Sequence, residues 1–143
     1  MAGKFPFSRF TYAQLAAIPA NRAICDYLDR YQPSAHSDVG SELFDAADGL
    51  DCQFYSPNIQ AYRYIVLHTA PGVIFAGAFG MNACALRLPV EAHAGAIRED
   101  GKPFSELTPE WIEFDPFRPN VKTVEMRERL KRWCATAFDH AIR

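Results

Sequence analysis

The sequence predicts an α+β domain: an antiparallel sheet of about four to six strands with N-terminal helices and a C-terminal helix packed on it. Three observations predict it. Amphipathic helical stripes stand near both ends of the chain. Between them, from Tyr64 to Leu86, no Asp, Glu, Lys or Arg occurs. Within that centre, β-branched and aromatic runs alternate with turns too short for parallel crossovers, so the pairing is antiparallel. The 143 residues are 49% apolar and carry a net charge of −2, which excludes a disordered chain and argues against a general polyanion binder. One domain over residues 1–143 is the natural size for such a chain.

The elements follow in order. Thr11 caps a first helix, Gln14 completes a capping box, and Pro19 stops the helix. Asn21 is a suitable N-cap for a second helix, in which Ile24, Tyr27, Leu28 and Tyr31 form one stripe before Gln32-Pro33 ends it. Residues 34–51 hold Asp38, Glu42, Asp45, Asp48 and Asp51 without a Lys or Arg, and read as an irregular acidic connection with a short helix from Ser41 to Ala47. Cys52 to Tyr55 is a strand. Tyr62 to Thr69, Val73 to Phe79 and Ala83 to Val90 are three more, joined by turns at Ala70-Pro71-Gly72 and Gly80-Met81-Asn82. Alternation puts Tyr62, Tyr64, Val66 and His68 on one face of the first long strand, and Arg63, Ile65, Leu67 and Thr69 on the other. Gly77 and Gly80 suggest a bulge or a close backbone approach. Glu91 to Pro109 is polar and turn-rich, with Asp100-Gly101 as a hairpin signal; Trp111 to Asp115 is a last strand. Asn120 caps the final helix, whose stripe is Met126, Leu130, Trp133, Cys134, Ala137, Phe138 and Ala141. The neutral run from Tyr64 fails as a membrane span, since His68, Pro71-Gly72 and Asn82 interrupt it.

No secretory leader is recognisable, so a cytoplasmic location is expected. Cys25, Cys52, Cys84 and Cys134 form no C-x-x-C pair and read as free, buried thiols. His36–Asp38 and Glu91–His93 are the ligand-like pairs, but neither lies in a metal-binding frame, and no metal or cofactor is expected. P-loop, dinucleotide and nucleophile-elbow signatures are missing. The basic residues of the last helix, Lys122, Arg127, Arg129, Lys131, Arg132 and Arg143, are partly balanced by Glu125 and Glu128, each four residues before an Arg.

Phe75-Ala76-Gly77-Ala78-Phe79, then Ala85-Leu86-Arg87-Leu88, Gly101-Lys102-Pro103-Phe104 and the ending from Leu130-Lys131-Arg132-Trp133 to Ala141 are similar to the hairpin, turn and closing helix of YjbR and TfoX N-terminal-like domains. The resemblance covers about residues 62–143, and the acidic 34–51 connection departs from it. It implies a small interaction or regulatory domain and carries over no catalytic residues.

The expected function is a binding module for a protein partner or a small apolar ligand. Tyr62, Tyr64, His68, Arg87 and His93 are the expected ligand residues, where aromatics and polar groups converge. Asp38, Glu42, Asp45 and Asp48 are the expected partner surface. The alternative is a small enzyme using His68 or His93 with a carboxylate or a thiol such as Cys52 or Cys84. Nucleic-acid binding by the basic helix ranks third. A homodimer is expected if helices cover one sheet face only.

Overall fold

Six strands build one antiparallel sheet: β1 (Cys52–Tyr55), β2 (Ile65–Thr69), β3 (Ile74–Phe79), β4 (Ala83–Arg87), β5 (Lys102–Pro103) and β6 (Trp111–Phe114), in the order β1-β2-β3-β4-β6-β5. Among the described residues five α-helices accompany it: α1 (Tyr12–Ala16), α2 (Arg22–Tyr31), α3 (Ser37–Ala46), α4 (His93–Arg98) and α5 (Thr123–Ile142). The computed structural model describes residues 5–107 and 109–143. The α+β class, the antiparallel sheet and the terminal helices are as the sequence predicts.

Alternation along the strands makes two cores. Ile65, Leu67, Ala76, Ala78, Cys84, Leu86, Ile112 and Phe114 point to one side and pack with Val39, Leu43 and Phe44 of α3 and Met126, Leu130, Cys134 and Ala137 of α5. Tyr64, Val66, Ile74, Phe79, Ala85 and Trp111 point to the other, under Ile24, Cys25 and Leu28 of α2. Both faces are therefore covered from within the chain, which removes the ground for expecting a homodimer. In β3 one extra residue, Phe75, stands where the register shifts between Leu67 and His68, and it turns into the α3/α5 core. Gly77 is the close approach: a Cβ there would lie 2.4 Å from the Phe79 ring.

Several local expectations change. The acidic 34–51 segment contains α3, a ten-residue helix, in place of an irregular connection. Its acids hide an amphipathic pattern: Val39, Leu43, Phe44 and Ala46 face the core while Asp38 and Asp45 stay exposed. Asn21 does stand at the N-cap position of α2, but its side chain makes no capping bond. Its amide is buried, donating to the carbonyls of Leu15 (2.9 Å) and Gly72 (2.8 Å) and accepting from the N–H of Ile74 (2.8 Å). Asn120 likewise does not cap α5, which starts at Thr123 after Lys122. Asp100-Gly101 closes α4 instead of forming a hairpin, with Asp100 at φ 75° and the Gly101 N–H donating back to Ala96. Tyr62 lies outside β2 at φ 56°, ending a 3₁₀ turn over Ile59–Ala61, so it does not share the alternating face with Tyr64. Among the described residues no helix is long and apolar enough to cross a membrane.

Candidate functional site

The expected ligand residues do not converge. Tyr64 is a core residue of the α2 side, 4% exposed. His68 is fully buried on that same side, its Nδ1 2.7 Å from the Thr69 carbonyl and its Nε2 2.6 Å from Ser8 Oγ. Arg87 forks onto Glu110 through Nε and Nη2, each at 3.2 Å. His93 opens α4 and donates from Nε2 to the Leu88 carbonyl at 3.0 Å. Tyr62 is exposed and lines a separate hollow.

The thiol route is not assembled. All four cysteines are free and buried. Cys52 and Cys84 face the α3/α5 core, whereas His68 shares the opposite side with Tyr64 and Val66, so the sheet separates base from thiol. Burial pushes the Cys52 thiol up to about 12, and Cys84 is raised too, the reverse of what a nucleophilic thiolate needs.

The acidic surface is also redrawn. Glu42 is 7% exposed and turns inward to α5, where Arg127 Nη2 meets Oε2 at 2.9 Å. Asp38, Asp45 and Asp48 remain at the surface. The same pairing draws on the basic helix: Arg129 binds Asp100 (2.8 Å) and Glu125 (3.1 Å), and Arg132 binds Glu99 (3.2 Å). Cations spent on neighbouring carboxylates are poorly placed for phosphates.

Among the concave regions of the described residues, three bear on the expected chemistry. A cleft of about 340 Å³ holds His93, Glu110 and His140 between Pro89 and Pro109. It brings one predicted histidine beside a carboxylate, but among the described residues its lining holds no Ser, Thr or Cys. A broad, open groove along α2 is lined by Asp26, Asp29, Glu106, Tyr27 and Tyr31 and was not signalled by any motif. The third is an apolar hollow of about 150 Å³ at the start of α3, the size of a cavity that stays dry and takes a benzene-sized guest.

The hollow is built by backbone bonds. Asn58 Oδ1 accepts from the N–H groups of Gln60 (3.1 Å) and Ala61 (3.3 Å), capping the turn that delivers Tyr62. The left-handed Tyr62 reverses the chain into β2, a conformation that costs a non-glycine residue about 1 kcal/mol or more. The segment before α3 is then tied on both sides: Ala35 N–H to the Tyr62 carbonyl (2.7 Å), Tyr64 N–H to Pro33 (3.1 Å), and Gly80 N–H to Ser34 (2.6 Å). Phe44, Ile59 and Ile65 supply apolar lining, and the missing side chain of Gly40 leaves room against Ile65, whose Cδ1 would be 2.8 Å from a Cβ. Arg63, Ser37 and Ser41 are the polar lining. Among the described residues Arg63 forms no ion pair with a carboxylate, and its charge also acts on the Tyr55 and Tyr64 hydroxyls.

No group of three or more His, Cys, Asp or Glu able to hold a metal ion occurs among the described residues. No family model, curated protein or solved structure matches the chain.

Proposed function

We propose that the protein is a binding module for a small apolar ligand carrying one anionic group, seated in the hollow beside α3. The observation that supports this reading is the combination of an apolar lining with one cationic residue, Arg63, which forms no ion pair with a carboxylate among the described residues. The apolar part of the ligand meets Phe44, Ile59 and Ile65, and the anionic head meets the guanidinium. The seryl hydroxyls of Ser37 and Ser41 are further donors at the same hollow. Of the expected ligand residues, Tyr62 alone belongs to this site; the others serve the core or the cleft at Glu110.

Benzoate is a suitable first probe, because its ring matches the volume and its carboxylate matches Arg63. Amide shifts in a titration should concentrate at Gly40, Ser41, Tyr62 and Ile65. Arg63→Met should weaken benzoate by roughly ten-fold or more, about 1.4 kcal/mol, the range of a charge-assisted hydrogen bond. The same variant should leave uncharged toluene unaffected. Shifts that map elsewhere, or no shift at millimolar benzoate, would sink the reading.

A further inference from the structure

We propose that Ser8 is a nucleophilic serine with His68 as its general base, reactive towards small esters and related acyl donors that carry a good leaving group. The inference is independent of the apolar hollow, which shares no residue with it. The sequence suggests a thiol or a carboxylate beside His68; the fold instead brings a hydroxyl from sixty residues away.

The chemistry starts from the tautomer. The Thr69 carbonyl can only accept, so at 2.7 Å the proton of the neutral ring sits on Nδ1 of His68. Nε2 is then a bare lone pair, 2.6 Å from Ser8 Oγ, and the hydroxyl must donate to it. The Phe10 carbonyl, at 3.3 Å, is a poorer acceptor for that proton. Nucleophile, base and a third group orienting the base thus stand in line, the arrangement that activates a serine. Burial of the imidazole favours its neutral, proton-accepting form.

The serine is held in place, and its Oγ also accepts the Phe10 N–H at 3.0 Å. The Ser8 N–H donates to the Phe54 carbonyl (2.7 Å), the Phe54 N–H to Pro6 (3.2 Å) and the Arg9 N–H to Gln53 Oε1 (2.9 Å), so residues 6–9 lie along β1. The Phe10 ring stands edge-on to the imidazole, with centroids 5.5 Å apart. Ser8 itself is half-buried and is flanked by exposed Phe7, which offers an apolar surface to an acyl chain.

The step balances without a co-reactant. Ser8 Oγ bonds to the acyl carbon, its proton passes to His68 Nε2, the ester C–O bond breaks, and the leaving alkoxide or phenolate takes the proton from Nε2. Water retraces the path and releases the acid. The geometry also sets the substrate class. A carbonyl, not a carboxylate, backs His68, so the transient imidazolium has no counter-charge. The N–H groups of Ser8 and Arg9 are already committed, which leaves the oxyanion to solvent. Only a good leaving group compensates for both.

The test is labelling of the full chain with an alkyl fluorophosphonate, read by intact and peptide mass. One adduct is expected, on Ser8; Ser8→Ala should abolish it, and His68→Gln should slow it by about 100-fold or more. Because His68→Gln alters a buried position, the wild-type rate against pH is the second readout. It should fall as the imidazole protonates, below the ordinary histidine value of 6.5. An adduct elsewhere, no adduct, a rate equal to that of the urea-unfolded chain, or a pH-independent rate between 4 and 8 (roughly the range in which histidines titrate) would overturn the proposal.

Discussion

Asn21 gives the sharpest test of how the α2 layer is attached to the sheet. Its amide makes three buried hydrogen bonds, to Leu15, Gly72 and Ile74, and so clamps the α1–α2 corner onto the β2–β3 turn. Asn21→Ala removes all three and strands the Gly72 carbonyl and the Ile74 N–H away from water, while the Leu15 carbonyl keeps the Ile18 N–H at 3.2 Å. Each lost bond is worth about 1 kcal/mol net, and a stranded partner costs a further 1–3 kcal/mol where water cannot reach it. With partial relaxation the total is about 3–5 kcal/mol, a large fraction of the roughly 5–15 kcal/mol that holds a domain together. Asn21→Asp should be worse at neutral pH, because a carboxylate still accepts from Ile74 but faces the Leu15 and Gly72 oxygens. It should recover partly in acid, when the protonated group regains one donor. Urea unfolding at matched pH, with the slope compared between proteins, measures both. A loss below about 1 kcal/mol for Asn21→Ala at unchanged slope would refute the clamp, since that is the worth of a single ordinary hydrogen bond.

His68 gives a pH-dependent contribution whose sign is fixed by burial. Its folded value is lowered below 6.5, so the unfolded chain binds the proton more readily. The contribution is fully present above the unfolded value and is lost as pH falls below it. Wild type should therefore lose more stability than His68→Gln between pH 7.5 and 5 (bracketing an ordinary histidine); parallel losses in urea titrations would contradict this. The four cysteines should resist an aromatic disulfide reagent in the native state and react together in denaturant, because all are buried and the thiols of Cys25, Cys52, Cys84 and Cys134 are all raised by burial. A fast-reacting native thiol would show that one of these positions is open.

Those elements that sequence periodicity governs were legible. Strand β1 runs over Cys52–Tyr55, as expected before the Ser56-Pro57-Asn58 turn, and the stripe from Met126 to Ala141 faces the α3/α5 core throughout. Errors arose where a side chain's local propensity competes with a tertiary partner. Asn21 and Asn120 have the residue type of caps, yet Asn21 is bonded to residues 51 and 53 positions away, which no local rule can foresee. The acids of 34–51 mask the Val39, Leu43, Phe44 face of α3, and buried Glu42 is met by Arg127, 85 positions on. Tyrosine favours strands, yet Tyr62 takes a left-handed backbone at the end of the turn that the Asn58 side chain caps. Ser8 carried no motif at all. A hydroxyl becomes notable only when the fold sets it against an imidazole.

With both faces of the sheet covered, sites are confined to its rim, and rim segments are ordinarily the mobile parts of a domain. Here the backbone offsets that mobility. The segment from Pro33 to His36 is bonded to Tyr62 and Tyr64 on one side and to Gly80 on the other. The hollow beside α3 is thus framed by bonds of the same kind as those of the sheet. A ligand entering a pre-formed site does not have to order it, so less of its small contact energy is lost on binding. That matters most for a guest the size of benzoate, which has few atoms with which to offset such a cost. The strain at Tyr62 fits the same logic: it is a fixed cost of folding, borne before the ligand arrives. Loosening the frame, as by removing the Asn58 cap, should therefore weaken binding without touching any group that contacts the ligand.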